Sequence, residues 1–92
     1  MIVSFKCNLT KKLYLDSPVK EFKNFESVTR RKLFQLANAF NINDLSSPPG
    51  NRLEKLKGDR KDQYSIRIND KYRLCFEWNN GNAENVEIID YH

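Results

Sequence analysis

Alternation of apolar and polar residues is clearest between Gln63 and Phe76. Tyr64, Ile66 and Ile68 alternate with Ser65 and Arg67, and Tyr72, Leu74 and Phe76 alternate with Arg73 and Cys75, the period of two expected of half-buried strands. A connection made of Asn69, Asp70 and Lys71 sets Ile68 against Tyr72, Ile66 against Leu74 and Tyr64 against Phe76. One face of the hairpin is then wholly apolar. A two-residue loop would instead oppose Ile66 to Arg73, and a slip of one residue turns every side chain to the wrong face. The favoured register makes Arg67 and Arg73 neighbours on the second face, where opposed like charges are destabilising. Either water solvates this pair or an anion such as phosphate lies between the two; the pattern alone leaves both open.

The same apolar face continues into a third strand. Val86 and Ile88 follow the turn signal Asn79-Asn80-Gly81-Asn82, and pairing them with Phe76 and Leu74 puts Ile89 and Tyr91 on the face of Arg73. Upstream, Arg52 to Asp62 carries Leu53 and Leu56 among Lys55, Lys57, Arg60 and Lys61, a predicted strand with a turn at Gly58-Asp59. Ile2 to Cys7 predicts a short first strand with Val3, Phe5 and Cys7 on one side. Residues 8–16 predict a polar turn with a brief helical piece holding Leu13, Tyr14 and Leu15. Asp16-Ser17-Pro18 then predicts a helix start, because proline is tolerated in a first turn. A clearer helix is predicted from an N-cap at Ser27 to about Phe40, with Leu33, Leu36, Ala37 and Phe40 facing the sheet, and Asn41 to Gly50 predicts a loop. Arg30, Arg31 and Lys32 sit near its start, where the macrodipole disfavours cations; they read as a solvated face or as a nucleic-acid contact. Trp78, Tyr64 and Phe76 read as packing residues. The order of elements gives an α+β fold, an N-terminal strand and helices packed on an antiparallel sheet meander.

Length and composition narrow the classes. Ninety-two residues predict one domain, 1–92, with a single modest core. Charged residues at 30% and hydrophobic ones at 39% predict a folded chain. No apolar run approaches the roughly 20 residues needed to cross a bilayer, so no membrane is expected. The opening MIVSFKCNLT lacks the long apolar stretch and small-residue cleavage site of a signal peptide, so a cytoplasmic location is expected. Cys7 and Cys75 stand far apart and His92 is the sole histidine. That set does not make a metal site, and reduced thiols are expected in that compartment. Net charge is +4, unevenly spread. Residues 52–73 hold eight Lys and Arg against four acids, whereas residues 74–92 hold four acids and no Lys or Arg. A stripe of this kind attracts polyanions.

The run Pro49-Gly50-Asn51-Arg52-Leu53, then Leu56-Lys57-Gly58-Asp59-Arg60, Tyr64-Ser65-Ile66-Arg67-Ile68-Asn69, Tyr72-Arg73-Leu74-Cys75-Phe76 and Asp90-Tyr91-His92 resembles the HigB toxins. These belong to the RelE/ParE superfamily of bacterial toxin-antitoxin systems. The resemblance is close over about residues 47–92. It implies a RelE-like fold and a ribosome-dependent mRNA endonuclease that cuts messenger in the ribosomal A site. It also implies a HigA-like helix-turn-helix antitoxin as partner, with no operator DNA bound in the antitoxin's absence. The family's active-site positions fall on Lys57, Arg73, Asp90, Tyr91 and His92, with Arg67 at a further cationic position and Lys55 and Arg60 as added phosphate contacts. Glu77 departs from the family, which often has a non-acidic residue there.

Such a nuclease needs no metal or other cofactor, because the RNA 2′-OH attacks its own phosphate. The protein must take one proton, stabilise charge on phosphorus and protonate the leaving 5′ oxygen. With one histidine, a histidine pair is excluded. His92 is expected to transfer a proton, with Arg73, Lys57 and Arg67 holding the phosphate. Tyr91 stacks on a base or supplies a phenolic proton, and Asp90 orients His92 or Tyr91. Two rival readings fit the same composition: a ParE-like poison of DNA gyrase on this fold, and a domain that binds RNA or an acidic protein without cutting.

Overall fold

The central hairpin forms in the register its alternation demands. A computed structural model describes residues 1–60 and 62–90, the side chain of Arg60 excepted. Among the described residues, β1 (Glu54–Lys55), β2 (Gln63–Arg67), β3 (Tyr72–Asn79) and β4 (Asn82–Asp90) make one antiparallel sheet in chain order. Tyr64 lies opposite Phe76, Ile66 opposite Leu74 and Arg67 opposite Arg73. At the connection, the Asn69 side-chain oxygen accepts from the Lys71 and Tyr72 amides at 2.9 and 2.8 Å, an Asx turn that replaces ladder bonds.

The β3–β4 pairing follows the expected register at Leu74 and Ile88, then departs from it. Between Cys75 and Glu77 the ladder shifts by one residue, so Asn85 and Val86 together face Phe76. Asn85 takes the extra place with φ 52°, its amide donating to the Ser4 hydroxyl at 2.8 Å. The bulge resets the alternation. Val86 on one side of it and Ala83 on the other are both fully buried, and Trp78 comes to pack on the core. At the tip, Asn80 and Gly81 both have positive φ, 52° and 79°, as a two-residue hairpin turn of this twist requires.

The helices α1 (Asn8–Tyr14) and α2 (Glu26–Asn38) cover the apolar face. Leu13, Leu33 and Leu36 meet Ile66, Leu74 and Phe76 in one cluster of buried residues. The predicted helix start at Asp16 is instead a helix end. Asp16 has φ 67°, and the Asp16 and Ser17 amides donate to the Leu13 and Lys12 carbonyls, a Schellman closure of α1. Residues Lys20–Phe25 then form a 3-10 turn that runs directly into α2, so the N-cap is Phe25 and Ser27 lies inside the helix. Phe40 also differs from expectation. The helix stops at Asn38, the chain turns extended at Ala39, and Phe40 points outward with 89% exposure.

The N-terminal segment is a strand in function more than in length. Ile2 and Phe5 bridge Ala83 and Val86 in parallel and pack on the core, whereas Val3, expected on the same side as Phe5, is exposed. Among the described residues of the predicted 52–62 strand, Glu54 and Lys55 alone form strand pairs with β2, and Gly58–Arg60 form a 3-10 turn. Cys7 and Cys75 are both free thiols.

Leu74→Ala is expected to lower the unfolding free energy by about 2–5 kcal/mol, because Leu74 is fully buried. Phe40→Ser should change it by no more than about 0.5 kcal/mol, and urea denaturation of the two variants checks both.

Candidate functional site

Alternation sends Ser65, Arg67, Arg73 and Cys75 to the sheet face opposite the main core, together with Ile89, the partner of Arg73 on β4. Leu56, whose amide donates to the Gln63 carbonyl at 2.8 Å, and Cys75 are buried outside the main cluster. This second face is therefore partly covered as well, and its arginines sit within a structured recess.

A cavity of about 210 Å³ on this face is lined by Arg52, Glu54, Arg67, Asn69, Asp70 and Arg73. Arg73 is 7% exposed. Its Nε donates to the Ser65 hydroxyl at 2.8 Å, and its Nη2 donates to the Arg52 carbonyl at 2.6 Å. The Arg52 carbonyl is available because Arg52 takes the left-handed conformation, φ 46°, at the end of the Pro49–Asn51 turn. Arg67 pairs with Asp70 within the hairpin connection, and Glu54 lies 3.9 Å from Arg73. The repulsion of opposed arginines is thus offset by two acids of the fold itself, a neutralisation that the strand pattern did not reveal. Three arginines against Glu54 and Asp70 leave the lining with a net positive charge.

The other proposed site residues divide. Lys55 and Lys57 line a separate cavity of about 540 Å³ with Leu56, Gly58 and Asp62, so β1 presents Glu54 to one recess and Lys55 to the other. Lys55 also lies over the Tyr64 ring, 6.0 Å from its centroid. Asp90 closes β4 opposite Tyr72, 3.8 Å from the Lys71 ammonium. Tyr91, His92 and the side chain of Arg60 lie outside the described residues. Glu77 accepts from the Asn85 amide group at 2.6 Å, which ties it to the bulge. Tyr64 and Trp78 each pack on the Phe76 ring, as expected.

Lys32 lies neither on a solvated face nor on an open nucleic-acid contact, the two alternatives for Arg30, Arg31 and Lys32, but is buried. Thr29, Lys32, Leu33 and Leu36 are the buried residues of α2, spaced i, i+3, i+4, i+7, so the helical period puts Lys32 on the inward stripe. Its ammonium donates to the Asn51 side-chain oxygen at 2.7 Å. Asn51, 1% exposed, donates in turn to Gln35 and to the Leu45 and Ser47 carbonyls. Burial pushes the Lys32 ammonium below the ordinary lysine value, and the charges of Arg31, Arg67 and Arg73 push the same way. Arg30 is likewise engaged, by Glu26, Asp16 and the Leu13 and Ser17 carbonyls. Of the three cations only Arg31 is exposed.

A small four-stranded meander with two helices on one face and an arginine recess on the other is an α+β arrangement consistent with RelE-like toxins. The family model described as the RelE-like toxin of type II toxin-antitoxin system HigB matches residues 3–92. The chain belongs to this HigB-like family and is thus a toxin of a toxin-antitoxin system. It is 39% identical to Toxin HigB-1 of Vibrio cholerae serotype O1, over 100% of this chain and 98% of that one. It is also 41% identical to an uncharacterized protein of Haemophilus influenzae, over 86% of this chain and 77% of that one. Among the described residues no helix is long and apolar enough to cross a membrane.

Asn51→Ala should destabilise the fold by about 3 kcal/mol in urea titrations, because it takes the acceptor from a buried ammonium and the donor from the Leu45 carbonyl. The depressed Lys32 sets a sign as well. From its folded value up to the ordinary lysine range the unfolded chain holds more protons, so stability rises with pH there. The stability of the wild type relative to Lys32→Met is expected to climb as pH is raised from neutral through that window.

Proposed function

We propose that this toxin is an endoribonuclease that cuts mRNA on the ribosome, with the Arg67–Arg73 recess as the seat of the scissile phosphate. The observation that carries this reading is Arg73 itself. A guanidinium anchored by the Ser65 hydroxyl and the Arg52 carbonyl is a preorganised charge that need not reorient as negative charge grows on phosphorus. Arg67, on the neighbouring strand at the level of Arg73, supplies a second cation to the same cavity.

The remaining roles rest on the family resemblance. His92 transfers a proton, Tyr91 stacks on a base or supplies a phenolic proton, and Asp90 orients them from the end of β4. Lys57 shares with Arg73 and Arg67 in holding the phosphate, reaching it from the cavity it lines with Lys55 beside the arginine recess, and Lys55 and Arg60 add phosphate contacts. The attack is that of the RNA 2′-OH on the adjacent phosphate, and a 2′,3′-cyclic phosphate and a free 5′-OH are its products. The partner that silences the toxin is a HigA-like antitoxin, and the ribosome presents the messenger in its A site.

Purified toxin added to translating ribosomes, with mRNA ends mapped, tests the reading. Cuts within the A-site codon that end in a cyclic phosphate are expected, with naked mRNA left intact. His92→Gln should slow cutting by about 10²–10⁴-fold, the range for a lost general acid or base, with the melting temperature unchanged. Intact messenger alongside inhibited DNA gyrase would replace this reading with the ParE-like one.

A further inference from the structure

Lys32 lies outside the arginine cavity and yet is coupled to it twice. The first route is structural. The ammonium donates to Asn51, the Asn51 amide group is held by Gln35, Leu45 and Ser47, and the next residue turns left-handed so that its carbonyl meets Arg73 at 2.6 Å. Helix α2, the Pro49–Asn51 turn and strand β3 are thereby joined in one hydrogen-bonded chain. The second route is charge. Lys32 is 8% exposed, its acceptor is a neutral amide, and Arg67 and Arg73 are close enough to disfavour its proton.

We propose that Lys32 is a positioning residue of the Arg67–Arg73 cavity, holding the Arg52 carbonyl against Arg73 through Asn51 and adding a buried positive charge that tightens binding of a phosphodiester. The inference rests on the reading of that cavity as the seat of the RNA phosphate. A lysine kept only for packing is hard to reconcile with its surroundings, because a neutral donor would satisfy Asn51 without placing a third cation beside two arginines. Three crowded cations cost stability in the empty protein and lose that cost when an anion arrives. The lining alone, three arginines against Glu54 and Asp70, has one net positive charge, and Lys32 doubles it. Buried charges are screened little by salt, so the contribution persists at physiological ionic strength.

Calorimetric titration of inorganic phosphate and of an uncleavable 2′-O-methyl RNA trinucleotide into wild type, Lys32→Gln and Lys32→Arg tests this. Lys32→Gln keeps a donor for Asn51 and removes the charge, so it should bind both probes about tenfold more weakly, a loss of about 1.4 kcal/mol. Lys32→Arg should stay within about threefold of wild type. In the wild type, NMR titration of the Lys32 side chain should move upward in pH when phosphate is bound, which a packing role would not produce and which does not depend on any variant folding. Equal affinity in wild type and Lys32→Gln, absence of phosphate binding by the wild type, or a Lys32 titration unmoved by phosphate would each overturn the proposal. If the probes bind in a Lys32-dependent way while ribosome-bound messenger stays uncut, the nuclease reading fails and the inference stands. Cutting by a wild type whose probe affinities ignore Lys32→Gln gives the reverse.

Discussion

An apolar face spread over three strands admits one register, and that register forces Arg67 and Arg73 side by side. Tyr64, Ile66 and Ile68 must meet Phe76, Leu74 and Tyr72 if the helices are to cover them, and a shift of one residue would exchange core for solvent. The hydrophobic effect on one side of the sheet thereby fixes an electrostatic arrangement on the other. The Arg67–Arg73 recess follows from this coupling of two faces through the strand period.

Placing two arginines opposite each other has an electrostatic cost, and the fold meets it locally. Asp70 comes from the hairpin connection, Glu54 from the short edge strand, and the Arg52 carbonyl from a turn with a left-handed residue. None of these removes the net positive charge of the recess. The result is a guanidinium that is buried, oriented and still within a cavity open to a ligand, the arrangement in which fixed charge acts with little reorganisation.

Burial on the second sheet face comes in part from the segment before β2. The residues around Leu56 cover part of the second face, and Asn51 roots the preceding turn on α2. Helix α2 thus serves both faces: Leu33 and Leu36 pack on the core, while Lys32 and Gln35 hold the turn that carries Arg52. A polar network satisfied at each member specifies one geometry more sharply than apolar contact alone.

Local pattern was enough for the hairpin, its arginine pair, the tip at Asn80-Gly81 and the α+β class, because strand alternation and turn chemistry act over a few residues. The residues that mark the HigB-like family were also legible in the linear sequence. What the pattern left undecided was settled by hydrogen bonds that leave no period in the sequence, some of them local and some between distant segments. The bulge at Asn85 is met by Ser4, α1 ends at Asp16 because the Asp16 and Ser17 amides close on the Leu13 and Lys12 carbonyls, and Phe40 faces water because α2 stops at Asn38. Lys32 was the one position where a local sign existed, the helical spacing with Leu33 and Leu36, but its charge argued against burial. Only the folded chain supplies Asn51, nineteen positions along the chain, as the partner that makes a buried ammonium tolerable, and tertiary structure alone decides such pairings because hydrogen bonds between distant segments leave no period in the sequence.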